Sequence, residues 1–198
     1  MTKLLLSVAA ASLLLAGCTD DKKNNDDYNA EIRYTSYGVP HIKADSYGDL
    51  GYGIGYAHAE ENMCTLAEQI VNVRAERTAT FGEYYGSNKA DDFGILGLGV
   101  YQQAQDTFET LSDDHKAVIN GYVKGFNAGV TAKGGFENYP SPCGDLSGDD
   151  WVPTVTNIDL HAFHLRLALL ASGDALRPLI GTALPTTPAV ALSGMTNN

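Results

Sequence analysis

Three glycines, two histidines and three cysteines are the residues of this chain whose spacing invites chemistry. Gly51, Gly53 and Gly55 alternate within Gly-Tyr-Gly-Ile-Gly-Tyr. A dinucleotide-binding turn needs Gly-x-Gly-x-x-Gly straight after a buried strand, so that backbone N–H groups meet the pyrophosphate at a helix N-terminus. Neither the spacing nor such a strand is evident, and close packing of a helix or turn is the better reading. His161 and His164 stand one helical turn apart, as two zinc ligands could. Zinc also needs a third and usually a fourth ligand at matching spacing. None is evident, so the pair reads as structural or pocket-edge histidines and no metal site is assigned. Gly-x-Ser-x-Gly, His-Glu-x-x-His and a Walker loop do not occur in the sequence, which removes several hydrolase and nucleotide-triphosphatase mechanisms.

The cysteines divide into two groups. Cys18 closes Leu15-Ala16-Gly17-Cys18, behind Lys3 and the apolar run Leu4 to Leu15. This is the pattern of a lipoprotein signal peptide over residues 1–17, with cleavage before Cys18 and a lipid on its side chain. The apolar run is too short to span a bilayer as a helix. Residues 18–29 are polar and of mixed charge, as expected of a flexible tether. Thr19 rather than Asp follows the cysteine, which in bacteria with that sorting rule directs the protein to the periplasmic side of the outer membrane. In that oxidising compartment the remaining two, Cys64 and Cys143, most simply pair. Two unrelated thiols are the alternative.

The elements that must position these groups are mostly helical. Ile32 to Thr35 and Val39 to Lys43 are β-branched or aromatic-rich runs around Tyr37-Gly38, a hairpin pattern. After Gly55 the period turns helical through Met63, Leu66, Ile70 and Val73, and Phe81-Gly82 ends it. Glu83 to Gly99, Gly-rich and acidic, reads as an irregular loop, and Tyr101 to Leu111 as a helix. Ser112 is an N-cap signal with Asp113 and Asp114 in the first turn, where the helix dipole favours them. Val118, Tyr122, Phe126 and Val130 follow every four residues up to Gly134-Gly135. Phe136 to Asp150 is a Pro/Gly loop. Thr156 and Asp159 form a capping pair for a last helix with Leu160, Phe163, Leu167 and Leu170 on one face, ending at Ser172-Gly173. The fold class expected is mainly α with one small β-hairpin, a single body over residues 30–174, and a linker over 175–198. A net charge of −11 excludes nucleic acid as a partner, which would require clustered Lys and Arg.

Two stretches carry a family likeness. Arg33 through Gly38-Val39-Pro40-His41-Ile42, followed by Gly-Tyr-Gly-x-Gly-Tyr-Ala-x-Ala-Glu-Glu-Asn from Gly51 to Asn62, resembles the start of the α-subunit in the penicillin acylase (penicillin amidase) family. The branch it is most similar to holds acyl-homoserine-lactone and aculeacin-type acylases, and the likeness runs from about Glu31 to Ser172. It implies the α-chain portion of an N-terminal nucleophile hydrolase of αββα fold, made as a precursor that cleaves itself into α and β chains. It implies hydrolysis of an acyl-amide: a β-lactam side chain, an N-acyl-homoserine lactone or a lipopeptide.

The catalytic residue of that family is a hydroxyl freed at a new N-terminus, whose own α-amino group serves as general base. Thr196, in Thr196-Asn197, stands at the family's Ser-Asn position and is the candidate nucleophile. The sequence departs from the family at Met195, where glycine usually stands, and in having threonine for serine; Ser193 is the weaker candidate because no Asn follows it. Phe163, Leu167 and Leu170 are the candidates for the acyl pocket, with packing against a β-chain as the other reading of the same stripe. The oxyanion donors and most of the pocket are expected on a β-chain, from the same precursor or encoded downstream, which is the partner implied beside a small acyl-amide substrate and the membrane. No cofactor is assigned; calcium is compatible with a complete enzyme of the family, but no residues here call for it. The rival reading is a non-catalytic exported lipoprotein, a remnant or binding module that keeps the α-fold.

Overall fold

The computed structural model describes residues 28–83, 87–141, 143 and 150–183. Two antiparallel strands open it, β1 (Ala30–Tyr34) and β2 (Pro40–Ala44), with Ile32 opposite Ile42. Gly38 takes φ +77 in the turn, and Thr35 Oγ1 accepts from Val39 N at 3.1 Å. A lone two-stranded hairpin is marginal in water; this one leans on the helix that follows.

That helix, α1 (Tyr47–Val73), starts well before Gly55. Ser46 caps it, its Oγ accepting from Asp49 N at 3.1 Å. The glycine triplet is therefore helical, and its purpose is visible in two directions. A Cβ built on Gly51 or Gly55 would lie 2.2 Å from Val118 O or 2.0 Å from Tyr122 O, while one on Gly53 would lie 2.6 Å from Ile42 Cγ2. Residues four apart share a helix face and the residue between them points away. Gly51 and Gly55 thus admit a second helix, α5 (Asp113–Ala132), and Gly53 admits the hairpin. α5 answers with Gly121 and Gly125, where a Cβ would lie 2.0 Å from Gly48 O and from Tyr52 O. Gly48 meets Ala117, Gly55 meets Tyr122 and Ala59 meets Gly129, so the two helices run parallel.

Past a break at Asn62 (φ −140, ψ 34), α1 enters the core. Met63, Leu66 and Ile70 pack there with Ile119, Phe126, Val155 and Leu160. Cys64 Sγ and Cys143 Sγ are joined at 1.96 Å. Trp151 Nε1 donates to Cys143 O at 2.6 Å and its ring meets Phe81 edge-on, so Trp151 joins the disulfide-linked Cys143 to the end of the Arg77–Phe81 helix.

Five further helices and three 3-10 turns follow among the described residues. α2 is Arg77–Phe81, α3 Ser87–Leu98 and α4 Val100–Thr107, the last running into a 3-10 turn at Phe108–Thr110. α5 begins at the Ser112 cap, which accepts from His115 N. A turn at Phe136–Asn138 follows, then α6 (Asn157–Ala168), opened by a full capping box between Thr156 and Asp159. A turn at Gly173–Leu176 leads into α7 (Arg177–Thr182).

Two further expectations differ from this. Most of the stretch from Glu83 to Gly99 is helix α3 rather than irregular loop, and the segment from 175 begins with a helix before any linker. Both differences have one cause: α3 and α7 pack on each other. A Cβ on Gly94 would lie 2.4 Å from Arg177 Cγ, one on Gly97 2.4 Å from Ile180 Cγ2, and one on Gly181 2.0 Å from Ala90 O. The glycines that read as breakers are the contact surface.

Candidate functional site

The helix expected to border a pocket, α6, is fixed at its N-terminus by a buried carboxylate. Asp159 caps its own helix, accepting from Thr156 N at 2.7 Å and Thr156 Oγ1 at 2.6 Å. It also takes a bidentate pair from Arg74, Nε to Oδ1 at 2.7 Å and Nη2 to Oδ2 at 2.6 Å, and a hydrogen bond from Tyr101 OH. Arg74 is the C-cap of α1, so one residue sets the position of α6 against the longest helix. Burial pushes the Asp159 carboxyl up, but the bonds from Arg74 and Thr156 outweigh it and hold the group below the ordinary carboxylate value. Tyr101, half-buried beside that anion, is pushed up by burial first and by the Asp159 charge second.

Further along α6 the expected pocket residues separate. Phe163 is half-buried against the core clusters, whereas Leu167 is 41% and Leu170 53% exposed. The helix ends at Ala168, so Leu170 is already in the following turn and does not continue the stripe. Phe163, Leu167 and Leu170 line none of three concavities on the described surface. One of them, about 930 Å3, opens where the parallel N-termini of α1 and α5 lie together, with Ser46, Asp113, Lys116, Asn120 and Asn157 on its walls. It holds carboxylates and lysines side by side, and the hydroxyl of Ser46 on its wall donates to Asp49 Oδ2 at 2.7 Å as part of the α1 cap.

The histidines serve packing. His161, on the buried side of α6, meets Thr107 Oγ1 through Nε2 at 3.0 Å, and its Nδ1 has no hydrogen-bond partner among the described residues. Burial lowers its pKa, and the nearby His115 adds to that. His164 is exposed and stacks on His115. Sequence reasoning missed a fourth, His58 on α1, whose Nδ1 contacts Tyr122 OH on α5. Burial lowers the imidazole's pKa and raises the phenol's, so it favours the neutral form of both groups where they meet across the glycine-lined helix pair. Arg74 was equally unmarked in the sequence, since its partner lies 85 residues away. Among the described residues no group of three or more His, Cys, Asp or Glu is arranged to hold a metal ion, and no helix is long and apolar enough to cross a membrane.

Cys18, Ser193, Met195 and Thr196 lie outside the described residues, as do the signal peptide and most of the tether. The described chain is therefore a scaffold: a glycine-packed helix pair, a hairpin laid on it, and α6 held in place by Asp159.

Comparison with known proteins identifies that scaffold. The family model described as penicillin amidase matches residues 29–188. Acyl-homoserine lactone acylase PvdQ of Pseudomonas syringae pv. tomato is 34% identical over 164 residues, covering 80% of this chain and 21% of that protein. Aculeacin-A acylase of Actinoplanes utahensis is 29% identical over 194 residues, covering 92% of this chain and 24% of the acylase. A thermostable penicillin G acylase from Alcaligenes faecalis shares the fold at a TM-score of 0.61 and 23% identity, with 81% of this chain and 95% of that chain covered. The chain thus spans about a fifth of the curated relatives it matches and nearly all of one solved acylase chain. With most of its length matched by the family model and its hairpin and helices arranged as in a solved acylase, the chain belongs to the penicillin amidase family.

Proposed function

We propose that this chain is the α-subunit-like part of an exported amidohydrolase that cleaves the amide between an acyl chain and an amine. The observation that carries this is the family match over residues 29–188. The substrate class follows the relatives: an N-acyl-homoserine lactone or lipopeptide amide, with a β-lactam side chain as the remaining member. In the complete enzyme the hydroxyl at a freed N-terminus attacks the carbonyl carbon, and its α-amino group takes the proton. Donors on a β-chain stabilise the oxyanion. The amine leaves with a proton, and water then hydrolyses the acyl-enzyme to release the acid.

Thr196 is the residue proposed for that hydroxyl. Phe163, Leu167 and Leu170 are proposed to border the acyl group once a β-chain covers them; the exposure of Leu167 and Leu170 here is what such a cover would remove. Cys18 is proposed as the lipid attachment that holds the protein on the periplasmic side of the outer membrane.

The test is activity with and without a partner. The purified 198-residue chain is expected to show no hydrolysis of chromogenic acyl-amides, because removing even one oxyanion donor typically costs about two to three orders of magnitude. Co-expression with a β-chain is expected to restore it. Turnover by the chain alone, abolished by Thr196→Ala, would overturn the proposal.

A further inference from the structure

We infer that α3 and α7 form a docking element whose outward apolar face seats the remaining four-fifths of the acylase fold. This rests on the acylase reading above and adds to it the face by which the partner is held.

The pair is one unit, because the glycine contacts of Gly94, Gly97 and Gly181 bring the two backbones together. Its attachment to the rest of the chain is polar. The Asp92 carboxylate accepts from Arg77 N at 3.0 Å and Thr78 N at 2.8 Å, capping α2 from outside. Arg177 Nε lies 3.1 Å from Asp174 Oδ1, outside the pair, while its Nη1 lies 2.7 Å from Asp91 Oδ1 and ties α7 to α3. Arg166, on α6, reaches Asp174 on one side and Gln69 of α1 on the other. No residue of α3 or α7 belongs to either apolar core cluster. Ile95 is the one large apolar side chain of the pair that is buried.

Beside Ser87, Lys89 and Thr182, most of the side chains that the pair turns to water are apolar. Phe93 is 52% exposed, Leu96 64%, Leu176 55%, Leu179 67% and Ile180 38%. A surface helix ordinarily turns its apolar stripe inward. Here the order is inverted: ion pairs inside, leucines outside. Large apolar side chains left exposed together on one helix pair mark a binding face. A second copy of this chain is a poor occupant, since each carries a net charge of −11 and the two would repel. The remainder of the fold is the occupant, because relatives about five times longer share this part, and a solved acylase contains a chain of nearly this extent.

The experiment co-expresses the full 198-residue chain with the Pseudomonas syringae acylase lacking the fifth of its length that this chain matches, and measures the fraction of that partner that co-purifies. Leu96→Glu combined with Leu179→Glu tests the face, and Tyr37→Glu at the hairpin tip, 94% exposed, is the control. Native chain and control are expected to hold the partner, while the double variant loses about tenfold or more, as for loss of an interface anchor. If the double variant loses its far-UV circular dichroism signal, Leu96→Ser with Leu179→Ser replaces it.

A complex indifferent to the double substitution would overturn the docking face and leave the acylase reading standing. No complex with folded native chain would overturn both. A dimer of this chain, dissolved by the same variant in sedimentation velocity with no partner bound, would assign the face to a second copy and overturn the inference.

Discussion

Gly55→Ala is the sharpest test of how α1 and α5 meet. The added Cβ would lie 2.0 Å from Tyr122 O, 2.8 Å from Tyr122 C and 2.9 Å from Phe126 N. All three are backbone atoms, so no side chain can swing aside. Ordinary contact begins near 3.4 Å, and the helices would have to separate by more than an ångström at this crossing. Overpacking of that kind costs about 1–3 kcal/mol, and shifting a rigid backbone puts it toward the upper end. Against this, alanine is the better helix former by about 1 kcal/mol. The net expectation is destabilisation by about 2 kcal/mol. For a chain of this size each kcal/mol moves Tm by roughly 2–4 °C, so Tm should fall by about 4–8 °C. Gly125→Ala, aimed at Tyr52 O from the opposite helix, should behave alike. Ile54→Ala, on the neighbouring exposed position, should stay within about 0.5 kcal/mol. Thermal unfolding by circular dichroism reads all three. A rise in Tm for Gly55→Ala would mean that helix propensity wins, and would refute the close parallel packing.

Three further outcomes are expected. Asp159→Asn leaves Arg74 without its bidentate partner, and breaking a buried pair costs about 3–5 kcal/mol; Arg74 is partly open to water, so about 3 is expected in a urea titration. Because the folded carboxyl is held below its unfolded value, its contribution is present above about pH 4 and lost as pH falls further, so the acid slope of Tm should flatten in Asp159→Asn. The Cys64–Cys143 link spans 79 residues and should be found intact in non-reducing peptide mass spectra; chain-entropy reasoning gives roughly 4 kcal/mol for it, lost on reduction, and two freely alkylated thiols in exported protein would contradict it. Cys18→Ser should abolish lipid labelling and free the protein from membranes, since stable anchoring requires the acylated cysteine; unchanged membrane association would remove the lipoprotein proposal.

Which features could be read from the sequence follows the range of the interactions behind them. Ser112 and the Thr156–Asp159 pair are contacts across three residues, so their caps are written locally and stand where the pattern puts them. The hairpin is equally local, and its strands are displaced from the expected ones by only a few residues. Gly51 to Gly55 and Gly94 to Gly97 carry the opposite lesson. Alone, each run argues against a helix, because glycine costs roughly 1 kcal/mol there. The compensation is a backbone supplied by residues around 118–126 in one case and 177–181 in the other. No local window contains it. Arg74 and Asp159 are the same case among charges.

The stripe Leu160, Phe163, Leu167, Leu170 shows where periodicity stops being informative about function. Regular spacing gave one face, yet burial falls along it from Leu160 through Phe163 to Leu167, because α6 leaves the core as it approaches Ala168. An apolar stripe that starts in the core and ends in water has an unfilled half. The Arg166–Asp174–Arg177 ion pairs that follow tie this end of α6 to the inverted α3–α7 pair, so apolar side chains left exposed on three helices are held together by charge. Burying them would remove water from around those ion pairs and strengthen them. A partner seated there would therefore fix the end of α6, and with it the proposed acyl pocket, by the same contacts that bind it.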